Sequence, residues 1–135
     1  MVWYAQGGKV MGMNAYFAAA GGLSIITFAV HFWLGGAQIA RPLLNGRELN
    51  RVVKLTHYYC WHLVSIALIL LAVAFLAAAA RGPATVLGAG ATAAAALATL
   101  WNLALVIAHR VKPWLMPQWA LFAPIAVLGA LGLML

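Results

Sequence analysis

An all-α, polytopic membrane protein is what this sequence predicts: one domain over residues 1–135, folded as an antiparallel bundle of four transmembrane helices. Three observations carry that prediction. Apolar residues make up 67% of the chain and charged ones only 7%, with a mean hydropathy of +1.00; a water-soluble domain needs about a quarter of its residues charged. Four apolar stretches are each long enough to supply the roughly 20 helical residues that cross a hydrocarbon core. The few charges gather between those stretches. Lipid is therefore the solvent over most of the surface, and backbone groups there must pair internally, as they do in helices.

The elements follow in order. Residues 1–13 carry Lys9 ahead of apolar residues and Ala18-Ala19-Ala20, part of a signal-peptide pattern. Gly12, Asn14 and Tyr16 interrupt the apolar core, however, and the hydrophobicity runs on past the small residues, so 1–13 reads as a short uncleaved tail. The first span covers 14–36 and is expected to break at Gly35-Gly36. The link 37–54 holds the turn signal Asn45-Gly46. Within it Arg47, Arg51 and Lys54 share one helical face, a basic turn suited to an anionic interface and able to run into the second span, 55–80. The short connection Arg81-Gly82-Pro83 forces an antiparallel neighbour. The third span, 84–109, is rich in small residues (Gly88, Gly90, Ala91, Ala94, Ala95, Ala98) that let membrane helices approach closely. After 110–113 the fourth span, 114–135, repeats that property at Gly129 and Gly132, with Pro117 and Pro124 as expected kinks.

The net charge of +7 arises from eight Lys and Arg against one acid, Glu48. In a soluble chain that balance would suggest nucleic acid. Here the basic residues lie between spans, so the partner is a bilayer with anionic headgroups and not nucleic acid. Arg41, Arg47, Arg51, Lys54, Arg110 and Lys112 fall on one side, against Lys9 and Arg81 on the other. This asymmetry places both links in the cytoplasm and both termini outside. Trp33, Tyr58, Tyr59, Trp61, Trp114 and Trp119 form an aromatic belt on the same side. The expected lipid-interface residues are Arg47, Arg51, Lys54, Trp61 and Trp114.

Polar groups within a span are costly and face the protein interior. A period of about 3.6 residues groups Ala20, Ser24, Thr27, His31, Gly35 and Gln38 on the first helix. It groups Tyr58, His62, Ser65 and Ile69 on the second, and Ala91, Ala95, Ala98, Asn102, Val106 and His109 on the third. His62 lies about 12 Å past Lys54 at 1.5 Å per residue, and Asn102 as far from Arg110. His31, just inside the Gly35-Gly36 break, reaches the same level. A polar cluster of His31, His62 and Asn102 is expected in the cytoplasmic half, with Thr27, Ser65 and His109 around it. The heptapeptide Thr56-His57-Tyr58-Tyr59-Cys60-Trp61-His62 thus splits, with His57, Cys60 and Trp61 on one face and Tyr58 and His62 on the other.

The runs His31…Gly35-Gly36…Ile39-Ala40-Arg41-Pro42-Leu43-Leu44 and Tyr58-Tyr59-Cys60-Trp61-His62 resemble those of an uncharacterised family of small four-helix bacterial inner-membrane proteins. The resemblance covers mainly residues 31–66. It implies a bacterial inner-membrane location and a four-helix fold, and it implies no activity.

Several functions remain open. One is a b-type haem electron-transfer protein with His31 and His62 as axial ligands, which needs two imidazoles at matched depth and small residues beside them. Another is a metal site drawing on His31, His62 and His109 or on His57 with Cys60, or an oligomeric pore. Zinc needs at least three convergent ligands; no span holds a carboxylate, which removes di-iron and calcium sites. No metal ligand set and no catalytic residue is therefore assigned: a single cysteine excludes Cys-x-x-Cys chemistry, and no Ser-His-acid set exists. In the remaining reading the polar residues hydrogen-bond across helices and fix their register, at about 1 kcal/mol each or less. The protein is then a non-catalytic accessory, structural or assembly subunit of a larger membrane complex, with other membrane subunits as partners.

Overall fold

The computed structural model describes residues 13–81 and 85–135. Most of the expected tail, with Lys9, and Gly82, Pro83 and Ala84, where the second connection and the start of the third span are expected, lie outside the described residues. Helix α1 spans Ala15–Ala29 and continues without interruption as a π-helical segment, Val30–Ala40, into the short α2, Arg41–Asn45. Helices α3 (Arg51–Ala79), α4 (Val86–Ala108) and α5 (Gln118–Met134) follow. Among the described residues every regular element is helical.

Side chains set the helix starts. Asn14, Asn50 and Thr85 each accept from the backbone N–H three residues on, at Phe17, Val53 and Gly88 respectively, so each satisfies one of the orphan donors of a first turn. Helix α4 closes with Arg110 at φ 50°, the left-handed position at which the last carbonyls are recovered. There Val111 N–H donates to Val106 O at 3.0 Å and Arg110 N–H to Ile107 O at 3.2 Å.

Three helices are long and apolar enough to cross a membrane: Ala15–Asn45, Arg51–Ala79 and Val86–Ala108. The fourth, α5, has 17 residues, about 26 Å at 1.5 Å per residue, somewhat less than a hydrocarbon core of about 30 Å. It starts at Gln118 because a turn-rich stretch, with Leu115 N–H bonded to Lys112 O, precedes it.

Two expectations change. Gly35-Gly36 does not break the first helix; both residues sit within the π-helical segment. The basic turn is not one helical face either, since Arg47 precedes the Asn50 cap and only Arg51 and Lys54 belong to α3.

In the bundle α1 packs beside α3 and α5, and α4 packs beside the same two. Phe17, Ala20, Leu71, Phe75, Ala91 and Ile125 belong to one core cluster, which lies in the half holding the start of α1 and the end of α5. Phe17 is fully buried and its ring meets that of Phe75 at 6.0 Å between centroids, tilted by 38°. Two glycines make room for it: a Cβ on Gly132 would stand 2.6 Å from the Phe17 ring, and one on Gly88 2.5 Å. The small-residue face expected on the third span is thus used at Gly88, Ala91 and Ala95, while Gly90 and Ala94 face outward. Asn14 stitches this closed end. Beyond capping α1, its backbone N–H donates to Ala79 O at 2.9 Å and its Nδ2 to Gly132 O at 2.8 Å.

The opposite half is looser. Its ends are the π-helical segment with α2, the start of α3, the end of α4 and the start of α5, and these ends with their links carry Arg41, Arg47, Arg51, Lys54, Arg110 and Lys112.

Candidate functional site: the open end around Trp61

Trp61 is the centre of the open half. On one side its indole stacks on the His31 imidazole, 4.0 Å between centroids and 18° between planes. His31 Nε2–H donates to the Trp61 carbonyl at 3.3 Å, so one residue takes both the face and an edge of the imidazole. The ring reaches this position because residue 35 is glycine: a Cβ there would lie 2.7 Å from the Trp61 ring. Trp61 is half-buried, its ring packed against the first long helix at His31 and Gly35.

Two cavities open on either side of it. One, about 330 Å³, lies between the π-helical segment with α2 and the first turns of α3; Phe32, Gly36, Arg41, Tyr58, Trp61 and His62 line it. The other, about 480 Å³, lies between the π-helical segment, α3 and the start of α5. His31, Gln38, Trp61, Trp114, Gln118 and Phe122 are among its walls. Both volumes fall in or near the range of small-molecule pockets.

His31 and His62 therefore face different cavities, with Trp61 between them. His62 is positioned by edge-on packing against Tyr58, 4.5 Å between centroids at 83°. Asn102 does not join them. It is buried and works at the start of α5, where its Oδ1 accepts from Trp119 N–H at 3.1 Å and its Nδ2 donates to Gln118 Oε1 at 3.1 Å. Pro117 precedes this helix and offers no capping side chain, so α4 supplies the cap from 17 residues away. Replacing Asn102 by Ala is expected to cost about 1–2 kcal/mol, the value of a lost cap. Denaturant midpoints in detergent measure it, and Asn102→Asp, which keeps the acceptor, should recover part of the loss.

The other polar residues turn inward on their own helices. Ser24 bonds Ala20 O, Thr27 bonds Leu23 O and Ser65 bonds Trp61 O. Thr92 bonds Gly88 O and Thr99 bonds Ala95 O in the same way. Such bonding to the carbonyl four residues back satisfies a hydroxyl without a partner helix, so the cross-helix bonds expected of these residues do not form. Thr27 borders the larger cavity; Ser65 is buried. His109 is exposed where α4 ends. His57 Nδ1–H donates to Val53 O at 2.8 Å, and Cys60 is a free, exposed thiol. Among the described residues no three His, Cys, Asp or Glu side chains gather as a metal site.

Sequence reasoning placed Gln38 on the stripe of His31, and both line the larger cavity; it passed over Arg41 and Gln118 as cavity residues. Arg41 is placed by a π-helical register that a 3.6-residue period does not follow, and Gln118 carries no local signal. No family model matches the chain, and no characterised protein or solved structure is measurably similar to it.

Proposed function

We propose that the chain is a non-catalytic accessory subunit of a larger assembly in a bacterial inner membrane, crossing four times with both termini periplasmic. The observation that carries this reading is the use made of the polar groups inside the bundle. Ser24, Thr27, Ser65, Thr92 and Thr99 each serve their own helix, while Asn14 and Asn102 serve helix ends. These side chains hold a scaffold together and converge on no reacting centre. The outer face of α4, with Leu97, Leu100, Trp101 and Ile107 exposed, is left for lipid or a neighbouring subunit.

The six basic residues at the open end support the orientation, and the three long apolar helices support a membrane location. For the fourth crossing, α5 together with the preceding 113–117 has the length required. Extraction in mild detergent is the test. Co-migration with a larger membrane assembly is expected, and a chain that migrates alone under every mild condition overturns the reading.

A b-type haem on His31 and His62 is the competing reading, favoured by the fact that both histidines adjoin Trp61. It requires the indole to leave the face of His31. Protein purified from haem-replete cells is expected to show no Soret band; a band that disappears in both His31→Ala and His62→Ala would establish the haem reading instead.

A further inference from the structure

The cavity of about 330 Å³ joins the two sequence runs singled out at the start, Gly35-Gly36…Arg41 and Tyr58…His62. We propose that it is a binding site for the phosphate headgroup of an anionic phospholipid, with Arg41 as the charge partner and His62 and Tyr58 as hydrogen-bonding groups.

The π-helical register is what builds it. Phe32 and Arg41 are nine residues apart, two and a half turns of an α-helix, which would set them on opposite faces. The i→i+5 pattern, seen where Arg41 N–H donates to Gly36 O, widens the turn so that nine residues make about two turns. Phe32, Gly36 and Arg41 then line one cavity. π-Helical turns recur at functional sites for this reason: they re-aim a side chain without ending the helix.

The chemistry of the walls selects the ligand. Arg41 is exposed and presents a guanidinium suited to bidentate contact with phosphate. No acidic residue lines the cavity, and the chain's one acid is Glu48, so an anion meets no opposing carboxylate there. Tyr58 and His62 add a hydroxyl and a ring N–H, while Phe32 and Trp33, both largely exposed, give an acyl chain an apolar path into the bilayer. Arg41 lies where the first long helix meets the basic link, the depth of headgroups.

Native mass spectrometry of the full chain in delipidating detergent tests the site, with phosphatidylglycerol and phosphatidylcholine as probes. One phosphatidylglycerol per chain is expected to be retained at least tenfold more tightly than phosphatidylcholine. Arg41→Gln should remove most of that preference, and Arg47→Gln on the link should leave it unchanged. A Cβ at Gly36 meets nothing within 4 Å, so Gly36→Phe should fill the cavity and abolish retention while the chain still elutes as folded protein. Equal retention of the two lipids, equal losses in Arg41→Gln and Arg47→Gln, or full retention in Gly36→Phe would each overturn the proposal. So would inorganic phosphate binding that leaves lipid retention untouched, since the anion would then be a soluble one.

Discussion

Gly132→Val is expected to destabilise the bundle by at least about 2–3 kcal/mol, the upper range for forcing extra methyls into a packed core. The Phe17 ring lies 2.6 Å from where the new Cβ would sit and has nowhere to withdraw. Gly88 bounds it on α4, Phe75 on α3, and the residue is fully buried. Gly132→Val also gains a few tenths of a kcal/mol of helix propensity, far too little to offset the clash. Unfolding titrations in mixed detergent should show the loss directly. Phe17→Leu, which shortens the obstructing side chain, should rescue Gly132→Val in part, so the two substitutions are non-additive in a double-mutant cycle. Gly22 supplies the opposite sign. A Cβ there meets nothing within 4 Å, and Gly22→Ala should stabilise by up to about 1 kcal/mol. Equal effects at residues 22 and 132 would show that helix propensity, not packing against Phe17, governs these sites.

Asn14→Ala is expected to cost about 2 kcal/mol. Removing an N-cap costs roughly 0.5–2 kcal/mol, and the lost Nδ2 bond to Gly132 O adds about 1 kcal/mol. Asn14→Asp separates the two. Its carboxylate oxygen still accepts from Phe17 N–H but no longer donates to Gly132, so an intermediate loss of about 1 kcal/mol is expected. The backbone bond from Asn14 N–H to Ala79 O survives in both variants. The measurement is the same titration, and an Asn14→Ala midpoint indistinguishable from the parent would show that the closed end is held by Phe17 and the glycines alone.

Asn14 also shows where reading the sequence stops. Its position just before an apolar run marks an N-cap, yet it first appears only as a polar interruption of that run. Nothing in the sequence says that the last turns of α3 and α5 come to rest beside it. Asn102 is similar. Its depth is legible from its distance to Arg110, but its partners are Gln118 and Trp119 rather than the histidines. On α3 the expected stripe held at Ser65 and drifted at Ile69, which is 46% exposed. The buried line runs through Ser65, Leu68, Ala72 and Phe75 instead. Polarity marks Ser65 as inward, whereas among aliphatic residues in lipid no hydrophobic contrast separates inside from outside.

By itself the sequence determined the all-helical class, three of the four long apolar spans it predicted, their antiparallel order through short connections, and the small-residue faces at Gly88, Gly129 and Gly132. Each of these depends on local composition, length or spacing. Tertiary structure alone decided how His31 and His62 stand to one another. An 11-residue π-helical segment turns the chain by less per residue than an α-helix does; the stripe read at a 3.6-residue period still holds for His31, Gly35 and Gln38, which line one cavity with Thr27, while Arg41 moves off the face that period assigns it. That register brings Arg41 round to the face of Phe32, while Gly35 admits the Trp61 ring. The imidazoles, placed at one depth by their distances from the basic links, end up lining two different cavities, with Trp61 a wall of both.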